Sequence, residues 1–158
     1  MQVVVLNGVN LDVVGRRDPA VYGGITLSEL ETRIYEWAST LRCHVRCRQT
    51  NHEGEYVEWC HDALGWADGV VVNPGAWSHY SYAIHDALEL FEVPVVEVHL
   101  SNIHGREEFR RHSVIAAVAR GQIAGFGPQS YVLALEALLA LDLGRGRARV
   151  NQRRRPRV

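Results

Sequence analysis

Tyr22 closes the loop Gly15-Arg16-Arg17-Asp18-Pro19-Ala20-Val21-Tyr22-Gly23, in which two arginines precede a phenol by five and six positions. A fixed positive charge beside a phenol favours its anion, so the pattern can supply a tyrosinate base. The competing reading is an ordinary surface loop with solvated arginines. A partner of opposite protonation stands in Glu97-Val98-His99. Residues two apart in a strand point to the same side. A carboxylate on one imidazole nitrogen fixes the tautomer and raises the basicity of the ring, as a general acid requires; a strand-end histidine bonded to backbone is the alternative. Four segments, Asn7-Gly8-Val9-Asn10, Asn51-His52-Glu53-Gly54, Asn73-Pro74-Gly75 and His99-Leu100-Ser101-Asn102, each follow a strand-like run. One Asn in such a place is a cap or turn former. Four together on one rim point to a polyhydroxylated small molecule, because hydroxyls need paired donors and acceptors. His79, in Trp77-Ser78-His79-Tyr80-Ser81, falls at a helix entry where free N–H groups gather, although capping by Ser78 or Ser81 also explains that segment. Arg106, Arg110 and Arg111 either clamp an anion or form a solvated charged face.

The elements that must hold these residues follow from the apolar pattern. Short β-type runs alternate with helical periodicity, the signature of a βαβ series and a parallel sheet. Strands are predicted over residues 2–6, 43–49, 69–72, 95–98 and 122–125. In the second, Cys43, Val45 and Cys47 alternate with Arg42, His44, Arg46 and Arg48, as on a sheet edge with one buried face. The same alternation sets the cysteines and His44 on opposite faces, against a shared metal ion. Thr26-Leu27-Ser28-Glu29 reads as a capping box opening a helix with Leu30, Ile34, Trp37 and Leu41 on one stripe. Further helices are predicted over residues 55–66, burying Val57, Cys60 and Leu64, and over 81–91, burying Ile84, Ala87, Leu88 and Phe91. A short turn over 107–112 and a last helix over 130–141 complete the series. The expected architecture is α/β, a flavodoxin-like doubly wound sheet of five parallel strands in the order 2-1-3-4-5, whose ligands bind outside the carboxyl ends of the strands.

The 158 residues fit one domain, and 47% hydrophobic content is ample for one core. No apolar run approaches the roughly 20 residues that cross a bilayer, and the chain opens on a strand rather than a charged leader. Three cysteines at low density suit a reducing compartment, so a cytoplasmic location is expected. All 17 basic residues are Arg, and seven of them lie between Arg145 and Arg157. Residues 1–143 carry ten basic against 18 acidic residues, a balance of −8. A single catalytic domain over 1–143 and a disordered Arg-rich tail over 144–158 are therefore expected, with no nucleic-acid partner. There is no Gly-x-Gly-x-x-Gly, no phosphate loop and no Gly-x-Ser-x-Gly elbow. The eight histidines are scattered, without a tight pair plus carboxylate on a predicted helix face.

Five ordered blocks carry a resemblance over roughly residues 1–143. They are Leu6-Asn7-Gly8-Val9-Asn10-Leu11, the segment Gly15 to Gly23, Gln49-Thr50-Asn51-His52-Glu53-Gly54, Asn73-Pro74-Gly75-Ala76-Trp77-Ser78-His79, and Glu97-Val98-His99-Leu100-Ser101-Asn102 with Arg106-Glu107-Glu108-Phe109-Arg110. Together they closely resemble the type II 3-dehydroquinate dehydratases. The resemblance implies a cofactor-free, metal-free anti elimination of water from 3-dehydroquinate to 3-dehydroshikimate through an enol or enolate. It implies that Tyr22, activated by Arg17, takes the C2 proton and that His99, oriented by Glu97, protonates the departing C1 hydroxyl. Asn10 would hold the water that stabilises the enolate oxygen. Asn73, His79 and Arg110 would bind ring hydroxyls, and Ser101 with the N–H of Leu100 would take the carboxylate. It also implies trimers assembled into a dodecamer, Asp86 reaching the site of a neighbouring subunit. Val9, Asp12, Trp77 and Tyr80 depart from the family pattern. Asp12 is expected to compete for the arginines near Tyr22, and Trp77 and Tyr80 to alter the fit. The alternatives are a non-catalytic binding or regulatory protein on the same scaffold, and a dehydratase of a related cyclic hydroxy acid.

Overall fold

The chain is described by a computed structural model that covers the backbone of residues 1–153 and the side chains of residues 1–142. Five strands form one parallel sheet: β1 (Gln2–Asn7), β2 (His44–Gln49), β3 (Gly69–Asn73), β4 (Val95–His99) and β5 (Gly121–Ala124). Their order is β2-β1-β3-β4-β5, as the sequence predicts. The helices are α1 (Pro19–Tyr22), α2 (Leu27–Thr40), α3 (Glu53–Ala63), α4 (Tyr82–Glu89) and α5 (Gln129–Arg153).

Strands β1 and β3 read as unbroken apolar runs because both faces are covered. Val3 and Val5 of β1 point into one cluster with Leu30 and Ile34 of α2 and with Tyr131, Leu135 and Leu138 of α5. Val4 and Leu6 point the other way, onto Tyr56 and Cys60 of α3 and Ile84 and Leu88 of α4. The period of two along the strand thus builds two cores, one on each side of the sheet. On edge strand β2 the polar face is used as well. The Arg46 guanidinium lies 4.6 Å from the Trp66 ring centre, and Arg48 pairs with Asp62 at 3.2 Å. Among the described residues no helix is long and apolar enough to cross a membrane.

Three local expectations change. The helix expected over 55–66 is α3, shifted toward its N-terminus, and it buries Tyr56, Cys60 and Ala63, leaving Leu64 exposed. Tyr56 can be buried because its hydroxyl donates to the Leu6 carbonyl at 3.1 Å. The loop around Tyr22 is partly ordered into a 3-10 turn (Val14–Arg16) and the one-turn helix α1. Asp18 caps α1 by accepting from the Ala20 N–H at 2.9 Å, Pro19 opens it, and Gly23 closes it in the left-handed conformation. The last helix continues to Arg153, so residue 144, the expected start of the tail, falls inside α5. The side chains from 143 onward, and residues 154–158 altogether, lie outside the described residues.

The carboxyl ends of β1 and β3 are pressed together by two glycines. A Cβ on Gly8 would meet the Pro74 carbonyl oxygen at 2.3 Å, and one on Gly75 (φ +66) would meet the Val9 oxygen at 2.6 Å. Only glycine lets these two loops cross, and their crossing forms part of the pocket wall described next.

Candidate active site

One pocket opens at the carboxyl ends of β1, β3 and β4. The loop after β1 lines it with Val9, Asn10, Leu11 and Val14, and the following segment adds Arg17 and Tyr22. The turn after β3 contributes Asn73, Gly75, Ala76 and His79, and the end of β4 contributes His99, Leu100 and Ser101. Ile103, Arg106 and Arg110 close the remaining side. Nine of the eleven residues to which the resemblance gives a role therefore meet in one cavity. Glu97 stands behind His99, fully buried. Asp86 is on the exposed side of α4, away from this pocket.

His99 is 5% exposed, and its Nε2 lies 2.7 Å from Glu97 Oε1. A carboxylate can only accept, so Nε2 carries the proton in this contact and Nδ1 is the other nitrogen. Glu97 also accepts from the Ser113 hydroxyl at 2.7 Å and from Gln122 Nε2 at 3.0 Å. Ser113 in turn accepts from the N–H groups of Ile115 and Ala116, both at 3.1 Å. Three donors thus hold a buried carboxylate, as its burial demands. Nothing in the strand pattern of residues 95–99 points to Ser113 or Gln122; they reach Glu97 from 16 and 25 residues away.

Tyr22 is gripped by two guanidiniums. Arg17 lies over its ring, 4.1 Å from the centre, whereas Arg106 Nη1 donates to the phenol oxygen at 2.5 Å. Of the pair, Arg106 addresses the oxygen itself. A charged donor on that oxygen favours phenolate more directly than a cation over the ring face. Arg106 and Arg110 are both tethered to Glu107 Oε2, at 3.3 and 3.0 Å. Asp12, expected to compete for the arginines, instead accepts from Asn51 Nδ2 at 2.9 Å, and among the described residues it has no ion pair with an arginine.

Asn51 also accepts from the backbone N–H of Asn10 at 2.8 Å, pinning that residue in the left-handed region (φ 66) that Asn tolerates. His79 Nδ1 lies 2.9 Å from the His112 carbonyl, which can only accept, so Nδ1 is protonated. Partial burial, with the nearby positive charges of His99 and Arg110, lowers the His79 pKa below the usual histidine value. The ring is thereby held neutral, with Nε2 as an acceptor. Its plane is nearly parallel to that of His99, 11° apart, with centroids 6.4 Å apart. Trp77 and Tyr80 do not line the pocket. Trp77 is buried edge-on against Tyr56 at 5.7 Å, and the Tyr80 side chain is turned to solvent. Ser81 caps α4 by accepting from Ile84 N–H at 3.1 Å.

An open parallel sheet whose strand ends carry a carboxylate-held imidazole and a guanidinium-held phenol, among amides and further arginines, defines an acid–base enzyme for a small polyhydroxylated anion. The comparisons give that class its family. Residues 1–139 match the family model described as dehydroquinase class II. The chain is 58% identical over 137 residues to the 3-dehydroquinate dehydratase of Syntrophotalea carbinolica, covering 86% of this chain and 93% of that protein. The crystal structure of type II dehydroquinase from Butyrivibrio crossotus superposes with a TM-score of 0.85 at 41% identity, over 87% of this chain and 97% of that one. That of the enzyme from Propionibacterium acnes gives 0.84 at 48% identity, over 87% and 94%. This chain belongs to the class II dehydroquinase family.

Proposed function

We infer that the chain is a type II 3-dehydroquinate dehydratase, a hydro-lyase that eliminates water from 3-dehydroquinate to give 3-dehydroshikimate. The observation that carries this reading is the presence in one pocket of Tyr22, with Arg106 on its oxygen, and His99, with Glu97 behind it. Elimination needs a base and an acid, and here a phenol with a guanidinium donor on its oxygen shares the pocket with an imidazole held by a carboxylate.

In the reaction Tyr22, as phenolate, takes the proton from C2, and the C–H electron pair moves toward the ketone to form the enolate. Arg106 and Arg17 stabilise the phenolate before transfer. The enolate electrons then expel the C1 hydroxyl, which leaves as water with a proton from the His99 imidazolium. Glu97 stabilises that imidazolium. The proton gained by Tyr22 returns to His99 through solvent, which restores both groups. Asn10 holds the water at the enolate oxygen. Asn73, Arg110 and neutral His79 bind ring hydroxyls, and Ser101 with the Leu100 N–H receives the carboxylate.

The resemblance to the family supports trimers assembled into a dodecamer, with Asp86, which is exposed on α4, reaching the site of a neighbouring subunit. Residues 1–143 are the catalytic unit, and the location is cytoplasmic. The absorbance of the conjugated enone on adding 3-dehydroquinate tests the activity. Wild-type protein should raise it, with or without EDTA, and Tyr22→Phe should lose nearly all of it while melting at the same temperature. Retained turnover in Tyr22→Phe would remove Tyr22 as the base.

A further inference from the structure

Beneath the pocket floor the side chains of Asn73, Tyr131 and Asn7 form a directed chain. Asn7 and Asn73 are register partners on adjacent strands β1 and β3, and Tyr131, from the first turns of α5, bonds both. All three are buried, Asn7 and Tyr131 completely.

The direction of every proton in this chain follows from its first donor. The Gly75 N–H can only donate, and the Asn73 amide atom 3.3 Å from it is Oδ1. Asn73 Nδ2 then faces the Tyr131 oxygen at 2.8 Å, which must accept. The hydroxyl proton of Tyr131 is thereby sent to Asn7 Oδ1, at 2.7 Å. Burial pushes the Tyr131 phenol well up from its ordinary value, so that proton stays in place. The arrangement has a visible cost, for among the described residues Asn7 Nδ2 is a buried donor without a partner. Turning the Asn7 amide over would set its NH2 group against the Tyr131 hydroxyl and reverse the chain. The orphan is the signature of a network whose polarity is dictated at its other end.

We propose that Tyr131 is a positioning residue for substrate recognition: its proton goes to Asn7, so its oxygen accepts from Asn73 Nδ2, a second tie that works with the Gly75 N–H to fix which donor and acceptor Asn73 offers the pocket. Without the hydroxyl, Asn73 Nδ2 loses its 2.8 Å acceptor and only the longer 3.3 Å contact from the Gly75 N–H holds the amide against turning over. Tyr131 is absent from the pocket lining, so its effect on substrate passes through Asn73. The proposal rests on the reading of Asn73 as a residue that binds substrate.

A double-mutant cycle separates the two. Asn73→Ala alone tests that reading and should raise KM by about tenfold or more, one hydrogen bond's worth. Tyr131→Phe should raise KM by a similar factor, with kcat within about threefold, and should add nothing further in the Asn73→Ala background. An unchanged KM in Asn73→Ala overturns the reading of Asn73 and the proposal with it. A raised KM there with additive effects, or with no KM change in Tyr131→Phe, leaves that reading standing and overturns the proposal. A second contrast covers a Tyr131→Phe protein that fails to fold. Asn7→Asp keeps an acceptor for the Tyr131 hydroxyl and should keep KM near wild type, whereas Asn7→Leu removes it and should raise KM. Equal KM values in those two variants would reject the role of Tyr131.

Discussion

The base role proposed for Tyr22 depends on a residue that sequence distance hides. Arg17 is visible beside it, but the guanidinium on its oxygen belongs to Arg106, 84 residues away. Arg106→Ala should therefore lower kcat by about a hundredfold or more, at least as much as Arg17→Ala, since loss of a charged donor at a reacting oxygen is worth that much. Steady-state kinetics of the two variants decides it; a large effect of Arg17 alone would put the activation back on the ring face. Glu97→Gln, which keeps the shape but not the charge, should lower kcat by about 10²–10⁴ through the loss of imidazolium stabilisation. His79 binds its proton less tightly when folded than when unfolded, because burial and neighbouring positive charge oppose it. Its contribution to stability is thus complete above 6.5 and is lost as the pH falls through the lowered folded value. The Tm of His79→Asn should consequently fall less steeply than wild type as pH drops below 6.5. Equal slopes would place the acid sensitivity elsewhere. The strand-end residues were legible because each follows a strand-like run. Ser113, Gln122 and Tyr131 were not, because their partners are set by packing rather than by spacing.

At the level of elements, strong local chemistry made prediction reliable. Thr26 and Glu29 form the reciprocal capping box expected of them, with the Thr26 N–H donating to Glu29 at 2.8 Å and the Glu29 N–H to Thr26 at 3.2 Å. Thr26→Ala should cost about 1 kcal/mol, or about 2–4 °C in Tm, without changing KM, as thermal melts and kinetics would show. A loss of activity at unchanged Tm would instead tie α2 to the site. The strands were legible for a similar reason, since β1 and β3 are apolar on both faces and only burial on both sides explains them. The face of α3 was misread because Val57 looks more apolar than Tyr56, and only the structure shows the Leu6 carbonyl that makes a buried tyrosine tolerable. Helix α1 escaped notice because a single turn has no periodicity. Its signals are the Asp18 cap, Pro19 and Gly23.

In the whole molecule, the sheet order sets the site, because it brings the ends of β1, β3 and β4 side by side. The crossing of Gly8 over Pro74 fixes the distance between two of them. Gly8→Ala, with a backbone oxygen 2.3 Å from its new carbon, should sharply lower the Tm or the yield of folded protein. A normal melting curve would mean that the β1 and β3 loops can separate. Asp86, by contrast, makes its prediction between molecules: sedimentation should show a trimer-based dodecamer, and a fully active monomer would reject that assembly. Helix α1 has no buried residue, and its Tyr22 packs only partly buried against the edge of one core. Arg16, just before it, is exposed. A protease cutting after arginine can therefore sever the chain beside Tyr22, the proposed base, while every strand keeps its neighbours. Such a nicked molecule would be folded, heat-stable and inert, and substrate filling the pocket would shield it from the cut.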